Sequence, residues 1–202
     1  MKIKIHYSFY LLLFIGFFSG VLKEVLIFTM IVMLHELSHL LASLIFCKKV
    51  NNITITLIGG VIDLDSNENG LIQEFIINIS GILMNLLLII IIKSFKENYY
   101  TKLIYEYNLI MIIFNSLPIY PLDGYRILDL ILFNYCNKYK IVKFITYFSF
   151  FLSIAFILFG IIKNSIGICI ISLFLLYKNI ININKREEIF LKKIVAEYKL
   201  NI

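Results

Sequence analysis

Residues 25–46 read VLIFTMIVMLHELSHLLASLIF, an apolar run long enough to cross a bilayer as one helix, interrupted at its middle by His35, Glu36 and His39. If the helix enters the membrane at Val25, His35 lies about ten residues in, about 15 Å at 1.5 Å per residue. That depth is near the centre of a hydrocarbon layer roughly 30 Å thick. A carboxylate there costs roughly 3 kcal/mol even on lenient insertion scales, so Glu36 needs a reason other than packing. On a helix His35 and His39 stand four residues apart on one face, and their imidazoles can share a metal ion. Glu36 sits beside them and can reach a metal-activated water as general base. Chance yields an H-E-x-x-H pattern in roughly one chain in several hundred of this composition.

The rest of the chain agrees with a membrane setting. Of 202 residues, 60% are hydrophobic and only 16% charged, and the mean hydropathy is +0.90. Soluble domains carry roughly 45–50% apolar and about 25% charged residues. A secreted disulfide scaffold, a disordered regulator and an ordinary cytosolic enzyme are thereby excluded. Further apolar runs fall at 7–22, 71–92, 103–121, 142–162 and 165–183. The expected fold is an all-α polytopic membrane protein of about six transmembrane helices, with a catalytic domain over 1–183 and a short basic tail over 184–202. Lys2 and Lys4 precede the first run, yet no small-x-small cleavage site stands near Ser19-Gly20, so that helix is read as uncleaved.

With both termini in the cytoplasm, 14 of the 19 basic residues fall inside and 5 outside. The net charge of +6 is therefore a topology signal, and no nucleic-acid partner is expected. Cys47, Cys136 and Cys169 fit neither a disulfide framework nor a zinc knuckle and read as small apolar residues. Between the second and third spans, Ile53, Ile55 and Leu57 alternate with Thr54 and Thr56, and Gly59-Gly60 leads into Val61-Ile62-Asp63-Leu64-Asp65. Two β-rich runs about a Gly-Gly turn predict a short β-hairpin, either a surface loop or an edge strand offered to a peptide. The tail, with a Glu188–Lys192 pair, reads as an interfacial or partner-docking helix.

A catalytic zinc site usually has three protein ligands, and the remaining histidine, His6, lies near the start of the first span. A carboxylate must complete the set. Asp123 stands out in FNSLPIYPLDGYR, residues 114–126, where the chain's only two prolines, Pro118 and Pro121, break the helix just before it. Irregular backbone at membrane depth is tolerated only where it is buried in protein or lines a wet cavity. The plainer reading has the prolines end the fourth span and Asp123 cap the next helix. Glu106 and Asp129 remain candidates without such a local break.

His35-Glu36-Leu37-Ser38-His39, with Asn115 and Pro121-Leu122-Asp123-Gly124 far downstream, resembles the site-2 protease family of intramembrane zinc metalloproteases. The glycine pair before Val61, the six-span reading and Ile5-His6 beside the first span resemble its sporulation branch. The resemblance implies His35, His39 and Asp123 as ligands of one Zn2+ per chain and Glu36 as the catalytic acid/base, with Asn115 close to the metal. Gly59, Gly60 and Asn85 would serve substrate binding or support the site. The family often shows Ala-Gly-Pro-x-x-Asn in the third span. Here it reads Ser80-Gly81-Ile82-Leu83-Met84-Asn85, which keeps Gly81 and Asn85 and lacks the proline. Asn78, Gly81 and Asn85 share one helical face. The sporulation branch commonly carries a cystathionine-β-synthase-like nucleotide-sensing domain. This chain ends about twenty residues after its last span, so control of that kind is not expected.

The resemblance thus implies hydrolysis of a peptide bond in or near the membrane. The implied substrate is a membrane-associated pro-sigma factor cleaved during sporulation at the mother-cell membrane around the forespore, under inhibitory membrane proteins. Housekeeping cleavage of anti-sigma factors or signal-peptide remnants is the alternative. Three rivals come from other classes. A multi-span transporter with a midplane metal site would carry similar residues, but no inverted repeat is present. An anchored peptidase with a cytosolic zinc site needs its motif outside the bilayer, and a structural membrane protein binds no zinc.

Overall fold

The computed structural model describes residues 2–5, 14, 16–46, 50–56, 59–64, 70–135, 138–188, 190–191 and 194–195. In chain order, β1 is Lys2–Ile5, α1 Leu22–Ile45, β2 Val50–Thr56, β3 Gly59–Leu64, α2 Leu71–Ile92, α3 Tyr99–Asn115, α4 Asp123–Tyr135, α5 Lys138–Ile162 and α6 Ile166–Asn184. Helix dominates because the long apolar segments hold Leu, Ile, Phe and Met without internal proline, and a helix satisfies its own backbone where lipid cannot. Four described helices are long and apolar enough to cross a membrane: α1, α2, α5 and α6. Large side chains such as Met30, Ile90, Phe151 and Ile170 stay exposed along them, as lipid-facing positions do.

Of the six expected spans, these four are met among the described residues. Most of the first run, 7–22, lies outside the described residues. Its described end is helical over 16–18 and closes in a turn at Gly20, whose φ of 73° is left-handed and suits glycine. The fourth run, 103–121, is not one continuous helix. Here α3 stops at Asn115 and residues 116–122 form turns, because Pro118 and Pro121 donate no backbone hydrogen bond. Cys47, Cys136, His6 and Lys192 lie outside the described residues, and Cys169 is a free, half-buried thiol.

Two compact units emerge, Met1–Ser66 with Ile76–Ile113, and Asn67–Phe75 with Phe114–Ile202. In the first, β1, β2 and β3 form a sheet in that order, β1 parallel to β2 and β2 antiparallel to β3. The glycine pair does not form the turn. Gly59 and Gly60 belong to β3, opposite Thr56 and Ile55. Nor is the β element a hairpin alone, since Lys2–Ile5, read as the approach to the first span, adds a third strand. Four residues with two lysines carry too little alternation to announce a strand. β3 runs against α1. Ile31 and Val32 of α1 bury with Met111 of α3, flanked by an edge-on Phe28–Tyr107 ring pair. At the exposed end, the Tyr99 hydroxyl donates to Glu24 at 2.9 Å.

The second unit is built on the α5–α6 hairpin. Ile119 and Leu122, from the broken segment, bury with Leu175 of α6, while Tyr125 of α4 buries with Ile141 and Ile145 of α5. Near the hairpin turn, Gly160 lets α6 approach closely. A Cβ there would lie 2.9 Å from Cys169 Sγ and 3.2 Å from the Cys169 nitrogen. Helix association inside a membrane depends on such close packing. Gly160→Val is expected to lower stability by about 1–3 kcal/mol through overpacking, read as earlier thermal unfolding in detergent.

Candidate metal centre

His35 and His39 lie near the middle of α1, both buried, at 2% and 7% exposure. The two serines of this stretch are satisfied within the helix: Ser38 donates to the His35 carbonyl at 2.6 Å and Ser43 to the His39 carbonyl at 2.6 Å. Such back-bonding lets hydroxyls sit in a membrane helix without outside partners. The histidines do something else. His39 Nδ1 lies 2.7 Å from the Ile77 carbonyl oxygen of α2. A carbonyl only accepts, so Nδ1 carries the proton and Nε2 presents a lone pair that can bind a metal. The Ser80 hydroxyl donates to the same carbonyl at 2.8 Å and lies 3.1 Å from Nδ1. Metal-ligating histidines typically have their second nitrogen held in this way.

The two Nε2 atoms stand 3.3 Å apart, with the rings nearly perpendicular at 82°. Two nitrogens each about 2.0–2.1 Å from a tetrahedral zinc are separated by about 3.3 Å, so the pair has the spacing of two zinc ligands. Gly81 of α2 faces this pair. A Cβ on Gly81 would collide with His39 Nε2 and lie 2.6 Å from His35 Nε2. The space over the lone pairs is open because residue 81 has no side chain.

Asp123 is buried, at 6% exposure, as the first residue of α4. Its place follows from the break before it. Leu117, Ile119 and Leu122 make short turn bonds through residues 114–122, and Gly124 packs directly on the Ser116–Leu117 backbone, where a Cβ would collide with the Ser116 oxygen. The ligand atoms of His35, His39 and Asp123 all lie within 4.8 Å of one another. Two imidazole nitrogens and one carboxylate oxygen form a donor set that suits zinc and leaves a fourth position for water or substrate. Asp123 is also the residue that starts α4, so the helix start and the metal grouping coincide in one side chain.

The other expected residues fall as follows. Glu36 is half-buried on α1 beside His35, and Asn115 is the last residue of α3. Asn85 is fully buried on α2, one turn beyond Gly81, and neither its amide nitrogen nor its oxygen has a hydrogen-bond partner among the described residues. Gly59 and Gly60 lie in β3, apart in sequence from the helical groups. Glu106 is exposed on α3 and Asp129 half-buried within α4, and neither joins the histidine group. Ser80 and the role of Gly81 as open floor were not foreseen. The shared face of Asn78, Gly81 and Asn85 points to packing toward the site.

The comparisons agree with this geometry. Residues 23–96, which hold His35, Glu36, His39 and Gly81, match the profile of Peptidase family M50. The stage IV sporulation protein FB of Bacillus subtilis is 28% identical over 137 residues, 65% of this chain and 48% of that protein. A zinc metalloprotease of Methanocaldococcus jannaschii is 27% identical over 194 residues, 88% of this chain and 56% of that protein. The chain thus spans about half the length of these two relatives. Among solved structures, the site-2 protease from Methanocaldococcus jannaschii superposes with a TM-score of 0.68 at 26% identity, covering 88% of each chain.

Gly81→Ala tests the open floor. It is expected to weaken zinc binding by about tenfold or more, since a methyl group would sit against both Nε2 atoms, as measured by chelator competition on purified protein. Residues 23–96 thus match the profile of Peptidase family M50, and the chain as a whole is similar in sequence to both relatives and in fold to a site-2 protease.

Proposed function

We propose that this chain is an intramembrane zinc metallopeptidase that hydrolyses a peptide bond in or near the membrane. The observation that carries the reading is the buried grouping of two imidazoles and a carboxylate in a protein of membrane-spanning helices. In this reading His35 and His39, through Nε2, and Asp123, through a carboxylate oxygen, hold one Zn2+ per chain. Zinc bound there polarises a peptide carbonyl and brings water to nucleophilic strength at neutral pH. Glu36 takes the proton of the attacking water and returns it to the leaving amine nitrogen. The unmet amide of Asn85 and the side chain of Asn115 serve the substrate backbone, which offers both carbonyls and N–H groups.

A helical substrate keeps its carbonyls in hydrogen bonds, so it must be drawn out before cleavage. The edge strand β3 suits that task, because an extended peptide can add to it. Gly59 and Gly60 leave that stretch of strand without side chains, where another backbone can come close. The basic residues favour both termini in the cytoplasm.

The similarity to stage IV sporulation protein FB supports a membrane-associated pro-sigma factor as substrate, at the mother-cell membrane around the forespore, with inhibitory membrane proteins as partners. Housekeeping cleavage of anti-sigma factors or signal-peptide remnants is the second reading. It is favoured by the longer match to the Methanocaldococcus jannaschii metalloprotease, which is not named for sporulation.

Co-expression with candidate substrates tests the reading. Glu36→Gln is expected to keep zinc and to slow cleavage by about a hundredfold or more. Processing at the normal rate by Glu36→Gln, or cleavage by neither form of any membrane substrate despite bound metal, speaks against it. The latter result is what a transporter would give.

A further inference from the structure

Between α3 and α4 the backbone leaves helical geometry, and the hydrogen-bonding groups freed there need partners. At Tyr120 both are met by side chains from the α5–α6 hairpin. The Tyr120 N–H donates to Ser149 Oγ of α5 at 2.7 Å. Ser149 Oγ donates in turn to Asn179 Oδ1 of α6 at 2.5 Å. Asn179 Nδ2 closes the ring by donating to the Tyr120 carbonyl at 3.1 Å, and it also bonds the Leu175 carbonyl at 2.9 Å. Ser149 and Asn179 are fully buried, and Tyr120 stands three residues before Asp123.

We propose that Asn179 and Ser149 are positioning residues for the metal centre: they clamp the Tyr120 backbone and thereby fix where Asp123 presents its carboxylate. The inference rests on the reading of Asp123 as a zinc ligand. A polar side chain in a membrane helix is often glue between two helices. Here the bonds go mainly elsewhere. The Asn179 amide and the Ser149 hydroxyl reach past their own helices to the backbone of a non-helical segment. Asn182 extends the same contact, donating to the Tyr125 hydroxyl at 3.0 Å. By contrast Ser172, equally buried on α6, bonds among the described residues only carbonyls of its own helix, at Ile168 and Cys169. The hairpin that lies beyond the metal-binding residues in sequence therefore serves the third ligand.

The test compares Asn179→Leu, Ser149→Ala, Ser172→Ala and Asp123→Ala with wild type, each purified in detergent. Three quantities are read: zinc affinity by chelator competition, the absorption spectrum of the Co2+-substituted protein, and thermal unfolding without metal. Asn179→Leu is expected to weaken zinc binding by about tenfold to a hundredfold and to alter the Co2+ ligand-field bands, the size seen when a ligand's supporting partner is removed. Ser149→Ala is expected to act in the same direction, and Ser172→Ala to stay within about twofold of wild type. If Asn179→Leu does not fold, Ser149→Ala decides alone. Wild-type affinity and spectrum in Asn179→Leu and Ser149→Ala, alongside weak binding by Asp123→Ala, overturn the clamp and leave the ligand reading standing. Wild-type affinity in Asp123→Ala overturns both.

Discussion

Hydrocarbon offers no hydrogen bonds, so every polar group placed in a membrane-spanning helix must find its partner in protein, in a metal or in a substrate. The buried polar residues of this chain sort by how they meet that demand. Ser38, Ser43, Thr146 and Ser172 turn back on carbonyls of their own helices. Ser149 and Asn179 satisfy the backbone of the broken segment at Tyr120. His39 gives one nitrogen to the Ile77 carbonyl and turns the other toward His35. Two imidazole nitrogens 3.3 Å apart need a proton or a cation between them. A zinc ion answers that constraint, and a carboxylate offsets its charge far from water.

Asn85 stands apart from this pattern. Its amide is fully buried and unmet on both sides among the described residues, and an unsatisfied buried polar group costs roughly 1–3 kcal/mol. It lies one helical turn from Gly81, the residue whose missing side chain opens the space over the two Nε2 atoms. A peptide backbone arriving at the centre would meet both features. Together with an edge strand running beside α1, they give the proposed substrate an extended route that a helical peptide lacks.

Much of this was legible in the residues. The depth of His35, Glu36 and His39 in one apolar run signalled a metal, because packing alone does not offset the cost of burying two imidazoles and a carboxylate there. The two prolines marked the helix break before Asp123, and the long apolar runs 25–46, 71–92, 142–162 and 165–183 correspond closely to α1, α2, α5 and α6. What the residues did not announce was set by tertiary contact. Gly59 and Gly60 look like turn residues, yet pairing with Ile55 and Thr56 draws them into β3. Lys2–Ile5 becomes a strand only because β2 is there to receive it. Gly81 carried a packing signal and nothing about chemistry, since the significance of an absent side chain depends on what stands opposite. Asn179 and Ser149 lie far from Tyr120 in sequence, and no spacing rule links them.

The most direct measurement is zinc K-edge X-ray absorption on the purified protein in detergent. The account predicts one zinc per chain, with two imidazole nitrogens and carboxylate oxygen bound directly to the metal at about 2.0–2.2 Å. A preparation that takes up no zinc, or bound zinc without imidazole scattering around it, would contradict it.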